Sequence, residues 1–220
     1  MQDALALGFQ GVEADYLLID GELRVGHGRG DAMKGRTLER LYLAPLRYRV
    51  RQCGWVQAPG KSFLLTIEYK EQGPQGYRAL RQLLAQYRDV VGTASQPGPV
   101  RVVLVGWHPP LTDMARESPP LATVQARITG GGLELPAGDT SLVGLVSLDY
   151  GKVMQWKGSG ALSSSDRRTL ELVAQAGRTL PGRLVRAYDV PVNREVYRLL
   201  LGAGVDVIGT KTLLESSALL

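Results

Sequence analysis

The sequence predicts an α/β fold built on a parallel sheet. Two observations carry that reading. Strand-like and helix-like stretches alternate along the chain, the pattern left by parallel strands joined through crossover helices. Seven of the strand-like stretches, starting at residues 12, 63, 100, 123, 142, 184 and 205, are of barrel type. The chain has 220 residues and no internal repeat, low-complexity segment or linker. That suits one large domain, expected to span residues 1–220.

Taken in order, residues 3–7 read as the end of a helix stopped at Gly8. Residues 12–18 form a strand, and 22–25 a hairpin arm returning across Asp20-Gly21, a dipeptide suited to tight reversals. Residues 37–43 form a short helix, followed by an irregular, Arg-rich stretch to residue 61. Residues 63–70 are a strand. Residues 76–91 form an amphipathic helix with Leu80, Leu83, Leu84 and Tyr87 on one face. Pro97-Gly98-Pro99 marks a turn before an apolar strand at 100–105. Further strands are expected at 123–128, 142–148, 184–190 and 205–208. Helices are expected at 164–176, behind a Ser-rich start, and at 193–201.

The hydrophobic fraction of 44% and the charged fraction of 21% are those of a soluble globular protein. Lys and Arg number 26 against 21 Asp and Glu, a formal net charge of +5, which weakly favours phosphate-bearing or anionic partners. The basic residues are scattered and no basic helix with interleaved aromatics occurs, so nucleic acid is not an expected partner. The single cysteine, Cys53, excludes an intrachain disulfide and a thiolate zinc site; it reads as a small core or loop residue. No stretch approaches the ~18–20 apolar residues of a membrane span, and no signal peptide opens the chain. A cytoplasmic location follows as an expectation.

Two short motifs carry chemistry. Glu13 and Asp15 lie two apart in a strand, so their side chains share a face. Two carboxylates so placed repel unless a cation or proton lies between them. Twelve residues after Asp15, beyond the Asp20-Gly21 turn, comes His27, a titratable imidazole of the kind used in metal-assisted phosphate chemistry. Glu68 and Lys70 likewise share a face at the carboxyl end of an apolar strand, where parallel α/β barrels place their sites. For each there is a plainer alternative. Glu68 and Lys70 could simply pair inside the fold, and His27 could be a surface turn residue. His108, before Pro109-Pro110, reads better as a loop residue than as part of a site. Gly130 to Gly132 form no phosphate loop, since no Lys-Ser/Thr follows, and there is no Gly-x-Ser-x-Gly nucleophile motif.

The stretch LALGFQGVEADYLLIDGELRVGH, with RTLERLYLAPL after it, resembles the glycerophosphodiester phosphodiesterase and phosphatidylinositol phospholipase C-like superfamily. It is closest to the branch named for altered inheritance of mitochondria protein six. The likeness runs over residues 3–214. It implies a TIM-type (β/α)8 barrel of the phospholipase C-like phosphodiesterase type and a metal-dependent phosphoric diester hydrolase with glycerophosphodiester or phospholipid-type substrates. Glu13, Asp15 and Glu68 would bind the divalent metal, Mg2+ or Ca2+. Their carboxylates should then lie within roughly 4–6 Å of one another, as shared metal bonds require. His27 would be the general acid, and Lys70 would contact the substrate phosphate. Trp156, in Gln155-Trp156-Lys157-Gly158, would form an apolar wall beside the substrate, with Lys152 or Lys157 near a phosphate; a loop anchored by a buried Trp is the alternative. The ending VNREVYRLLLGAGVDVIGTKTL resembles the last helix and strand of the family, with Asp206 structural.

Two departures from the pattern matter. Many relatives read His-Asp where this chain has His27-Gly28, which removes a carboxylate expected to orient the imidazole. The superfamily's first strand, with its first catalytic histidine, has no counterpart before residue 3. The expectation is a barrel lacking that strand, with a seam between the strands at 12 and 205. Its activity is impaired for want of a general base, or restored, with secretion possible, if the true start lies upstream. The alternative is a non-catalytic phosphate- or metal-binding barrel.

Overall fold

The computed structural model of the chain describes residues 1–96, 98–180 and 182–219. These fall into two compact units, Met1–Val124 with Ala137–Leu142 and Gln125–Pro136 with Val143–Leu220.

The first unit opens with helix α1 (Gln2–Ala6), strand β1 (Gly11–Ile19) and strand β2 (Glu22–Val25). β2 returns antiparallel on β1, with Tyr16 opposite Val25 and Ile19 opposite Glu22, so the outer edge of β1 is paired there. The reversal at Asp20-Gly21 has both residues at positive φ, 51° and 78°, as the tight turn between twisted strands requires. A π-helical turn (Glu39–Leu43) runs into helix α2 (Ala44–Cys53), followed by strand β3 (Phe63–Tyr69), helix α3 (Pro74–Ala85), strand β4 (Val100–Gly106) and the short helix α4 (Leu111–Met114). β1 pairs in parallel with β3, β3 with β4, and β4 with the first residues of strand β5 (Thr123–Thr129). Phe63, Leu65, Ile67, Val100, Val102, Val103 and Leu104 are buried. β1 alternates, burying Ala14 and Tyr16 on one face and presenting Glu13 and Asp15 on the other.

Two expectations fail in this unit. Residues 44–53, expected to be irregular, are helical. Pro45 lies in the first turn, where a missing N–H breaks no helical bond, and Leu46 is buried beneath the arginines. The helix stops at Gly54, φ 82°, whose N–H bonds to the Val50 carbonyl at 2.7 Å. Cys53 is exposed at its end. Helix α3, expected over 76–91, starts at Pro74 and stops at Ala85. Val90 and Val91 leave it to join the start of β4, where the Val100 N–H donates to the Val90 carbonyl and the Gly92 N–H to the Val100 carbonyl. These β-branched residues gain more from the sheet than from another helical turn. The turn expected at residues 97–99 includes Pro97, which lies outside the described residues.

The second unit contains the rest of β5, strand β6 (Gly132–Glu134), strand β7 (Val143–Asp149), helices α5 (Tyr150–Val153) and α6 (Ser164–Thr179), strand β8 (Leu184–Tyr188), helix α7 (Arg194–Gly202), strand β9 (Val207–Ile208) and helix α8 (Leu213–Ser217). β6 is antiparallel to β5; β7 and β8 are parallel, as are β8 and β9. Sheet order in this unit is β5-β7-β8-β9. Side chains start both long helices: Ser163 accepts from the Asp166 N–H, and Asn193 from the Glu195 and Val196 N–H groups. Asp206 is structural, as expected; its carboxylate accepts from the Val185 N–H at 2.7 Å. The last strand is shorter than expected: the Val205 N–H is taken by the Leu200 carbonyl of α7, while Asp206 meets Val185 through both its N–H and its carboxylate. The fold class is therefore α/β with a mostly parallel sheet, its seven barrel-type strands being β1, β3, β4, β5, β7, β8 and β9.

Candidate active site

The β1–β3 register sets Asp15 opposite Glu68 and Glu13 opposite Thr66. With side chains alternating along each strand, these residues and Lys70 share one face. One carboxylate oxygen from each of Glu13, Asp15 and Glu68 lies within 4.8 Å of the others, inside the expected 4–6 Å range. Lys70 extends among them. Its ammonium lies 3.1 Å from Glu68 Oε1 and 3.9 Å from Asp15 Oδ2, with 14% of the side chain exposed. The Thr66 hydroxyl lies 3.3 Å from Glu13 Oε2. Three carboxylates and one ammonium leave a formal charge of −2. Asp15 Oδ1 is buried without a hydrogen-bond partner among the described residues, although a buried carboxylate oxygen ordinarily finds a donor or a cation. An all-oxygen donor set of this charge, with an unsatisfied oxygen in it, could hold a hard divalent cation.

His27 reaches this group from the loop after β2. Its Nδ1 lies 3.0 Å from Asp15 Oδ2, with the ring largely exposed. The orienting carboxylate thought missing at position 28 is therefore supplied by Asp15. Three contacts shape the loop. The Gly26 N–H donates to the Asp15 carbonyl at 3.1 Å. A Cβ on Gly26 would stand 2.9 Å from the Ala32 backbone, so only glycine admits the returning chain there. Asp31 accepts the His27 N–H at 3.0 Å and the Gly28 N–H at 2.8 Å. These amide bonds, from His27 first and then Gly28, hold the Asp31 carboxyl below the ordinary range. Arg29 pairs with Glu71, which also accepts from the Tyr69 hydroxyl at 3.2 Å.

Behind the cluster, Gly106 has φ +74°, and a Cβ there would meet Glu68 Cγ at 3.1 Å. Tyr16 stacks on Tyr69 with ring centroids 5.0 Å apart; burial, then the neighbouring Tyr69, pushes its phenol up. Burial and then the Asp15 charge push the Tyr42 phenol up as well, which puts Tyr42 within electrostatic reach of the site.

The other candidates make local contacts within their own units. His108, in the first unit, turns on its own backbone, with Nδ1 2.7 Å from the Pro109 carbonyl, as a loop residue would. In the second unit the Trp156 indole donates to the Gly160 carbonyl at 3.0 Å and the Tyr150 hydroxyl donates to the Trp156 carbonyl, so Trp156 anchors its own loop. Lys152 pairs with Asp149 at 2.9 Å, and Lys157 sits 5.7 Å above the Tyr150 ring. Sequence reasoning missed Asp31, Thr66, Tyr42 and Gly106. The Gly-x-Gly-Asp wording of residues 28–31 held a turn signal for Asp31; nothing local marked the others.

An α/β fold with a mostly parallel sheet, whose paired strands carry a carboxylate cluster and a lysine, is that of the phospholipase C-like phosphodiesterase superfamily. The AIM6-like phosphodiesterase domain matches residues 1–112, a span that holds Glu13, Asp15, His27, Glu68 and Lys70, and the chain belongs to that family. An altered inheritance of mitochondria protein 6 homolog from Arthroderma benhamiae is 28% identical over 127 residues, covering 48% of this chain and 40% of that protein's length. The crystal structure of a glycerophosphodiester phosphodiesterase from Agrobacterium tumefaciens matches with a TM-score of 0.54 at 16% identity, over 99% of this chain and 89% of the other; that likeness is one of fold. No helix among the described residues is long and apolar enough to cross a membrane.

Proposed function

We propose that the chain is a divalent-metal-dependent phosphodiester hydrolase acting on a glycerophosphodiester or phospholipid-type substrate, with residues 1–220 working as one domain of the superfamily's barrel type. The observation that carries this reading is the convergence of Glu13, Asp15 and Glu68 within 4.8 Å, beside Lys70 and within reach of His27. Glu13, Asp15 and Glu68 would hold Mg2+ or Ca2+, which would supply positive charge to the phosphoryl oxygens and lower the pKa of an attacking water or hydroxyl. Lys70, already drawn between two carboxylates, offers its ammonium to a phosphate oxygen. His27 holds Nδ1–H against Asp15, so the carboxylate stabilises the imidazolium while Nε2 gives its proton to the leaving oxygen.

A second reading has an observation of its own. Among the described residues His27 meets the cluster through Asp15, while His108 Nδ1 lies 2.7 Å from the carbonyl of its neighbour Pro109. On that reading the domain binds metal or phosphate without turnover. Hydrolysis of bis(p-nitrophenyl) phosphate with Mg2+, Ca2+ or EDTA separates the two. The hydrolase reading expects cation-dependent turnover, slowed by ~10²–10⁴-fold if a general base is wanting, abolished in Glu68→Gln and strongly reduced in His27→Ala. Calorimetric metal binding with no turnover favours the second reading, and turnover that survives EDTA and Glu68→Gln ends the first.

A further inference from the structure

Within the proposed mechanism His27 has a difficult placement. Its ring is 78% exposed, and it sits on a loop with glycines at 26, 28 and 30. Glycine-rich backbone samples many conformations, and one hydrogen bond to Asp15 does not fix where such a ring points. We infer that Asp31 is the positioning residue for His27: its carboxylate grips the backbone of the loop so that the imidazole is delivered to Asp15.

The geometry is specific. One oxygen of Asp31 takes the His27 N–H at 3.0 Å and the other takes the Gly28 N–H at 2.8 Å. Two successive amides are thus held by one ionised group, and such charge-assisted bonds are stronger than neutral ones. The chain between them closes on itself, with the Ala32 N–H donating to the Gly28 carbonyl at 3.2 Å. Gly26 lets the backbone of Ala32 pass directly beneath it. On the far side, Arg29 ties the loop to Glu71, one residue beyond Lys70. The His27 backbone is therefore held by Asp31, which leaves its ring where Nδ1 meets Asp15 at 3.0 Å. Asp31 does not belong to the carboxylate cluster, so it acts through His27.

The inference rests on the hydrolase reading, and its test can be scored without it. In Asp31→Ala, amide exchange at His27 and Gly28 should accelerate by about tenfold or more, the loss expected for such a bond. Nitrogen NMR of the imidazole should show the Nδ1–H form, held by Asp15 in the parent chain, giving way to the mixture of a free ring. Mn2+ affinity should stay within about twofold of the parent, because no cluster ligand is removed. With bis(p-nitrophenyl) phosphate, kcat should fall by about tenfold with KM little changed. Asp31→Asn, which keeps one acceptor oxygen, should fall between parent and Ala on every readout. Unchanged amide exchange and imidazole form in Asp31→Ala would overturn the inference, as would accelerated exchange with an unaltered ring. If the parent neither binds Mn2+ nor turns over substrate, the hydrolase reading fails, while the exchange and ring measurements still decide whether Asp31 places His27.

Discussion

Substituting Asp15→Asn should move stability in opposite directions with and without a divalent cation. Asp15 has two carboxylate neighbours within 4.8 Å and one ammonium at 3.9 Å. At an effective dielectric of 20, each repulsion amounts to ~3.5 kcal/mol or more and the attraction to ~4.3 kcal/mol, leaving Asp15 a net repulsion of ~2.7 kcal/mol. In water-like surroundings the same sum is ~0.7 kcal/mol. Glu13 is exposed and Asp15 half-buried, so screening favours the lower end, about 1 kcal/mol. Asparagine is isosteric and can still accept from His27 Nδ1. In EDTA the variant should therefore melt level with the parent or a few degrees above it, since each kcal/mol shifts Tm by ~2–4 °C in a chain of this size. At a cation concentration near 100 times Kd, the parent should gain ~2.7 kcal/mol, or ~5–10 °C. The variant, short of one charged ligand, should gain little at the same concentration. Thermal melts in EDTA and across a Mg2+ or Ca2+ titration measure both arms. A variant that is less stable in EDTA, or that keeps the full cation-induced rise, would refute the charge argument for the cluster.

Gly106→Ala should weaken the site from behind. The new Cβ meets Glu68 Cγ at 3.1 Å on a backbone at φ +74°, so strain of ~1–2 kcal/mol is expected together with weaker Mn2+ binding; wild-type melting and affinity would show that Glu68 has room to spare. A third expectation concerns acid stability. Burial pushes the Asp166 carboxyl up, but the Gln155 N–H at 2.8 Å and the Ser163 hydroxyl at 2.7 Å outweigh it and hold the group below the ordinary range. A folded-state pKa below the unfolded value of ~3.9 gives stability that is complete above about pH 4 and is lost as pH falls through the lower value. Urea melts should therefore show Asp166→Asn weaker than the parent by ~1–3 kcal/mol near neutrality, with the gap closing below about pH 4. A gap that persists there would mean that the contribution does not depend on the charge.

What could be read from sequence followed from local periodicity. The seven barrel-type strands were legible because each is a short apolar or alternating run bounded by turn residues, and the hairpin because Asp20-Gly21 suits a reversal with both φ values positive. Helix α2 was hidden because its arginines masked the single buried Leu46; its Pro45 falls in the first turn, where a helix tolerates it. The end of α3 was hidden because Tyr87, Val90 and Val91 are all buried and so continue an apolar pattern past the last helical turn. Only the pairing of Val91 with Val100, across a connection no local rule foresees, takes them out of the helix.

The site divides in the same way. That Glu13 shares a face with Asp15, and Glu68 with Lys70, follows from strand geometry alone. That the two pairs meet depends on the parallel register of β1 and β3, and a slip of one residue would have sent one pair to the opposite face. The sequence alone allowed two fates for Lys70, pairing with Glu68 or reserve for a phosphate; at 3.1 Å from Glu68 and 3.9 Å from Asp15 it pairs with both carboxylates. An ammonium in that position lowers the repulsion among three clustered acids, so the strands can register before any cation arrives. It leaves a charge of −2, which suits a divalent cation better than a monovalent one. On the proposed function, the lysine assigned to a phosphate is thus also the group that lets the carboxylates gather, and that coupling lies in the register rather than in either motif.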